Sequence, residues 1–243
     1  MGFCSHVRRY PPPYRPNDII YHHHHHHYHH HQRKNMFKRI WNREPDILDI
    51  VKTRGFATFE NGDYNLNIIG VRNLSAKRAG LFDDRIHIVF KKSGVWNDWS
   101  APITTDPGRY YLEKTDYRAD GVAIMVHPQQ CRGAYKIGPH GKSKYTALRQ
   151  HLPIMVWRDN NHDSILDFDS EIHTGKFFIN IHHASKSPEG SKIVHKWSAG
   201  CQVFQHKSDF DVFMDLCYRS TQIYGDSITY TLIGIFMGKS RDK

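Results

Sequence analysis

No run of 18 apolar residues occurs in the 243-residue chain, which argues against a membrane-spanning helix. The N-terminus has no apolar h-region, so a conventional secretory signal is not expected. "MGFCSH" opens like a myristoylation site but has His6 where Ser or Thr is wanted. Cysteine is scarce: Cys4, Cys131, Cys201 and Cys217, with no C-x-x-C pair. That spacing argues against a zinc ribbon, and four cysteines in a chain this long make no disulfide scaffold. The expectation is free thiols. The Gly-rich stretch "CRGAYKIGPHGKSKY" (131–145) lacks the G-x-x-x-x-G-K-[ST] spacing of a phosphate loop, and no internal repeat is found.

Basic residues exceed acidic ones, 34 Lys and Arg against 24 Asp and Glu, a net charge of +10. Residues 1–44 carry eight basic and two acidic side chains, so most of the excess lies there. This segment holds "YPPPYRP", which favours polyproline II, and the low-complexity "YHHHHHHYHHHQRK". It lacks the apolar periodicity of a core and reads as a flexible tail. Its histidines offer ligands to transition metals, and its charge offers contacts to nucleic acid.

A folded domain is expected over 53–238. "DYNLNIIGV" (63–71), "RIHIVFKK" (85–92), "GVAIMVH" (121–127), "LPIMVWRD" (152–159), "KFFINIH" (176–182) and "SITYTLIGIF" (227–236) are short and rich in β-branched and aromatic residues. "ENGD", "KSGVW", "TTDPG", "DNNHDS" and "SPEG" supply turns between them. Two stretches predict helices. "SKYTALRQHL" (143–152) puts Tyr145, Leu148 and Leu152 on one face, and "SDFDVFMDLCYRS" (208–220) has Ser208 as N-cap with Phe210, Phe213, Met214 and Cys217 as its apolar stripe. The fold class predicted is mainly β: a β-rich α+β domain with two helices.

Chemistry concentrates in "FFINIHHAS" and "KWSAGCQVF". Small residues before Cys201 let a substrate carbonyl approach and free backbone N–H groups for an oxyanion. A thiol of ordinary pKa needs a base, and His182 or His183 at a strand end suits that role. Ser198 and Gly200 shape the loop. The competing reading is a buried core thiol, common for Cys before Val-Phe.

These residues resemble the active-site signature of the L,D-transpeptidase (YkuD-type) family. There a strand ending in Ile-His is followed 14–17 residues later by Ser/Thr-His-Gly-Cys. Here 15 residues separate His182 from Ser198, and 14 separate His183 from it. "TTDPGRYYL" (104–112) is similar to the family's Thr-Pro-x-Gly-x-Phe/Tyr stretch, and the Ser-Ala-Gly-Cys form is similar to variant domains of phage-type proteins. The resemblance implies a YkuD-like β-sandwich or mixed-sheet domain without a cofactor. It implies cysteine-dependent acyl transfer or hydrolysis on peptidoglycan stem peptides, with Cys201 as nucleophile and His182 as base, and with His183 as the alternative base. Tyr111, His140 and Trp197 are expected along the substrate groove. Ala199 stands where the family has His, and Val203 where it often has Arg. These losses favour a second expectation, an inactive structural or binding module of a virion or envelope. A missing export signal fits delivery with a virion as well as secretion.

"RDNNHDSILDFD" (158–169) places Asp159, Asn161, Asp163 and Asp167 near the spacing of a calcium loop, but Ser164 replaces the usual glycine. A hairpin turn rich in Asx residues explains the same letters.

Overall fold

Alternating β-branched residues dominate the folded part of the chain, and strands dominate its architecture. The computed structural model describes residues 43–76, 79–141 and 145–236. The chain divides into two units, Met1–Arg43 and Glu44–Lys243. Residues 1–42, with the His run and the metal or nucleic-acid binding expected of it, lie outside the described residues.

Along the second unit the order is α1 (Asp46–Thr53), β1 (Asn67–Asn73), β2 (Asp84–Lys92), β3 (Val95–Thr104), α2 (Arg109–Leu112), β4 (Val122–Met125) and β5 (Gln129–His140). Then come β6 (Tyr145–Gln150), β7 (Ile154–Asp159), β8 (His173–Gly175), β9 (Ile181–His183), β10 (Gln202–Phe204), α3 (Lys207–Tyr224) and β11 (Ile228–Ile235). Eight strands close into a barrel in the order β1-β11-β5-β6-β9-β10-β3-β2, and β4-β7-β8 form a separate small sheet. The mainly-β expectation holds. The mixed sheet closes on itself rather than stacking as a sandwich, and the described residues contain three helices rather than two.

Strand β1 is buried on both faces. Ile68 joins the main core with Ile86, Ile88, Leu148, Ile181, Phe204, Tyr230 and Leu232. Ile69 and Val71 face the other way and pack with Leu48 and Val51 of α1. That helix lies ahead of residue 53, so the folded unit reaches further toward the N-terminus than the span expected from sequence.

Residues 145–152, the described part of the helix expected over 143–152, are the clearest departure. The expected helix is strand β6, paired with β5 from Tyr135↔Gln150 to His140↔Tyr145. Six residues are too few for the helical spacing of Tyr145 and Leu148 to be diagnostic, and the ladder to β5 decides the conformation. Strand 176–182 is also shorter than expected, because Gln150 Oε1 accepts from the N–H groups of Phe177 and Ile179 in place of a neighbouring strand. Phe178 has φ +60°, which breaks the extended geometry. Helix α3 forms as expected and buries Phe210, Phe213, Met214 and Cys217. Its N-cap is His206, however, and Ser208 lies inside the first turn.

Candidate active site

Strands β9 and β10 run side by side in parallel, with Gln202 opposite Ile181 and Val203 opposite His182. The ladder extends one residue before β9, where the Asn180 carbonyl accepts from the Gln202 N–H at 2.9 Å. Val203 and His182 are register partners and project to the same side of the pair, and Cys201 lies one residue before β10. The two segments that looked distant in sequence are therefore adjacent.

The Cys201 sulfur accepts a hydrogen bond from the Asn180 N–H at 3.4 Å and lies 3.6 Å from the Phe178 carbonyl oxygen. The residue keeps partial exposure. The protein around the sulfur nevertheless pushes the thiol pKa up to about 11, against a smaller pull from the Asn180 N–H. His182 is buried, and its Nδ1 lies 2.9 Å from the His183 carbonyl oxygen. A carbonyl only accepts, so Nδ1 carries the proton and Nε2 is left as the basic nitrogen. Burial, with the neighbouring His140, pushes the His182 pKa down to about 3. The resting pair is a neutral thiol and a neutral imidazole, and no hydrogen bond joins the sulfur to the His182 ring among the described residues. His183 contributes its carbonyl. Its own ring packs on Tyr145 and Phe210, at centroid distances of 4.6 and 5.2 Å.

The turn before the cysteine is fixed by three contacts. Ser198 is buried; its hydroxyl donates to the Cys201 carbonyl at 2.8 Å and accepts from the Gly200 N–H at 3.1 Å. Gly200 has φ +116°, and a Cβ there would lie 2.4 Å from the Ala123 carbonyl oxygen of β4. Only glycine fits both conditions. Because the Gly200 N–H is engaged by Ser198, the Cys201 N–H is the candidate oxyanion donor.

The "TTDPGRYYL" stretch reaches the same loop. The Gly108 N–H donates to the Ser198 carbonyl at 2.9 Å, and a Cβ on Gly108 would meet the His195 carbonyl oxygen at 1.9 Å. Tyr111 of α2 donates its hydroxyl to the Lys196 carbonyl at 3.4 Å. Trp197 is 42% exposed and its indole N–H donates to Ser191 Oγ at 3.1 Å. His140 ends β5 half-buried and stacks on His182, with ring centroids 4.4 Å apart and planes at 23°. Of the catalytic and substrate-groove residues expected from sequence, Cys201, His182, His183, Ser198 and Gly200 lie on or next to the β9–β10 pair and His140 stacks on His182, while Tyr111 contacts Lys196 and Trp197 contacts Ser191.

Two supports escaped the sequence reading. Asn180 was one polar letter in an apolar run. Arg72 fell just past the strand expected over 63–71 and was given no role, but it is wholly buried in β1. Its guanidinium donates to the Thr105 carbonyl at 2.9 Å, the Thr105 hydroxyl at 3.0 Å and the Met125 carbonyl at 2.8 Å, and its Nε lies 2.9 Å from the Asp106 carboxylate. Burial pushes the Asp106 pKa up to about 7, with Arg72 opposing. The chain of contacts continues to the site: Gln202 Nε2 donates to the Thr105 and Gly200 carbonyls at 3.4 and 3.3 Å, and Tyr230 donates to Gln202 Oε1 at 2.8 Å.

No family model, curated protein or solved structure matches the chain. The case for function therefore stands on the geometry above and on the signature in the sequence.

The 159–167 segment takes the turn reading rather than the calcium reading. Asn161 Oδ1 accepts from the Asp163 N–H, Asp163 Oδ1 from the Ile165 N–H and Asp159 Oδ2 from the Asp167 N–H, while the Asn161 amide donates to Asp167. Among the described residues, no group of three His, Cys, Asp or Glu side chains converges as a metal site. No described helix is long and apolar enough to cross a membrane.

Proposed function

We propose that the protein is a cysteine-dependent acyl transferase or hydrolase acting on peptidoglycan stem peptides, of L,D-transpeptidase type. The observation in support of this reading is the parallel pairing of β9 with β10, which brings the strand of His182 alongside the strand that Cys201 precedes, while His182 Nδ1 lies on the His183 carbonyl. The sequence signature supplies the substrate class.

In this scheme His182 Nε2 takes the thiol proton as sulfur attacks the carbonyl carbon that links a diamino acid to D-alanine. A thiol near 11 and an imidazole near 3 exclude a resting ion pair, so proton transfer accompanies attack instead of preceding it. The Cys201 N–H holds the developing oxyanion, a device worth ~3 kcal/mol. The tetrahedral intermediate collapses and the amine leaves with the proton from His182. The thioester that remains is cleaved by an incoming amine, making a crosslink, or by water, making a shorter peptide. Either way His182 takes the proton of the attacking group and the thiol is regenerated.

Incubation with defined muropeptides, read by product mass, tests the reading. Crosslinked or trimmed products are expected from the wild type and none from Cys201→Ala. Unchanged muropeptides, or equal turnover by the variant, would refute it.

The raised thiol pKa, the lack of a hydrogen bond from His182 to the sulfur and Ala199 favour a second reading, an inactive virion or envelope module that keeps the fold. Specific labelling of Cys201 by a thiol-reactive substrate analogue, lost in His182→Ala, would count against it.

A further inference from the structure

Asn180 spends all four of its polar groups at the site. Its N–H donates to the Cys201 sulfur and its carbonyl accepts from Gln202. Its Oδ1 accepts from the Gln150 N–H at 2.9 Å, and its Nδ2 lies 3.2 Å from His140 Nδ1. The Gln150 donor fixes which end of the amide is oxygen, so the NH2 group must face His140. His140 Nδ1 therefore accepts and its proton sits on Nε2. His182 is the reverse, with its proton on Nδ1. Two imidazoles stacked at 4.4 Å thus hold opposite tautomers.

We propose that Asn180 and His140 are positioning residues: Asn180 holds His140 as the neutral Nε2–H tautomer, so that the imidazolium formed on His182 faces an uncharged ring. An amide donor aimed at Nδ1 blocks protonation there. Two imidazolium rings at this spacing would repel strongly, while a neutral ring accommodates a charged partner. Other groups around the pair are Arg149 and Tyr145 of β6 and His183 and Cys201 beside it, with Lys207 and Asp211 of α3 acting on His183. Arg149 acts in the same sense as Asn180, against charge on His140. The functional half of the inference rests on the acyl-transfer reading above; the tautomer pair belongs to the resting protein.

Long-range 1H–15N NMR on the full chain, assigned with His140→Phe and His182→Asn, reads the pair directly. At pH 7 His140 is expected to be protonated on Nε2 alone and His182 on Nδ1 alone. The Nδ1–H form or an imidazolium at His140 would overturn the proposal. Asn180→Asp keeps the acceptor for Gln150 but presents a carboxylate to His140, favouring its charged form. Alkylation of Cys201 by iodoacetamide at pH 6.5, followed on the Cys201 peptide, is then expected to slow about tenfold. Adding His140→Phe, whose ring stacks but cannot charge, is expected to restore the rate of the His140→Phe single variant. A slow double variant would mean that the new carboxylate acts on the thiol itself, and would overturn the His140 route. Inert muropeptides with intact tautomers and rescue would remove the acyl-transfer reading and leave the imidazole pair standing.

Discussion

Acid should destabilise this fold through His182, by an amount its burial sets. The imidazole titrates near 3 in the folded chain, against about 6.5 for an exposed histidine. Between those values the unfolded chain binds a proton that the folded chain refuses. Stability therefore falls as pH drops through about 6.5, and keeps falling until about pH 3. Well inside that window each pH unit removes a little over ~1 kcal/mol, and at pH 6.5 the unfolded histidine is only half protonated, so from pH 6.5 to 4.5 His182 alone accounts for about 2 kcal/mol. His182→Asn removes the titration while keeping an N–H donor for the His183 carbonyl. It carries a fixed cost from the lost stack on His140, the same at every pH. His127, pushed down to about 2 by burial and by Arg72, and Asp106 and Asp159, pushed up to about 7 and about 6 by burial, titrate in both proteins and cancel in the comparison. Urea unfolding of the two proteins at pH 6.5 and 4.5 gives the test. The variant is expected to lose about 2 kcal/mol less than the wild type over that interval. Parallel losses would mean that His182 is solvated and titrates normally, and the burial argument would fail.

Gly200→Ala places a Cβ 2.4 Å from a backbone carbonyl at a φ that L-residues avoid, so a loss of roughly 3 kcal/mol or more in thermal unfolding is expected, with slower alkylation of Cys201. Arg72→Met leaves Asp84 and Asp106 buried without their cation, and chemical denaturation should show a loss of roughly 3–5 kcal/mol that Asp106→Asn partly restores. Brief treatment of the folded protein with iodoacetamide should label Cys201 ahead of Cys131 and Cys217 by peptide mass, since both of the latter are buried and Cys217 lies inside the α3 core face.

Strands with regular alternation were legible. "RIHIVFKK" reads directly as β2, because Ile86, Ile88 and Phe90 alternate into the main core while Arg85, His87 and Lys91 lie on the other face, where Val89 alone is buried. β5 was missed because Gly133, Gly138 and Pro139 read as loop, although its pairing with β6 and β11 overrides them. β6 was misassigned because a six-residue segment with adjacent buried Ala147 and Leu148 carries no clear period. At the site, residue types with strong local chemistry were legible: Cys201, His182 and the glycine whose φ the turn requires. Arg72 and Asn180 were not, because their roles come from partners 33 to 53 residues away for Arg72 and 21 to 40 away for Asn180, and no spacing rule reports such contacts. The orienting group of His182 is a main-chain carbonyl, which no residue letter can reveal.

The most direct measurement is the intact mass of the protein during incubation with a tetrapeptide muropeptide, with the modified peptide then sequenced. An acyl adduct on Cys201, cleared by added amine or hydroxylamine and absent from His182→Ala, is the expected result. A protein of unchanged mass that leaves the muropeptide intact, or an adduct on another residue, would contradict the account.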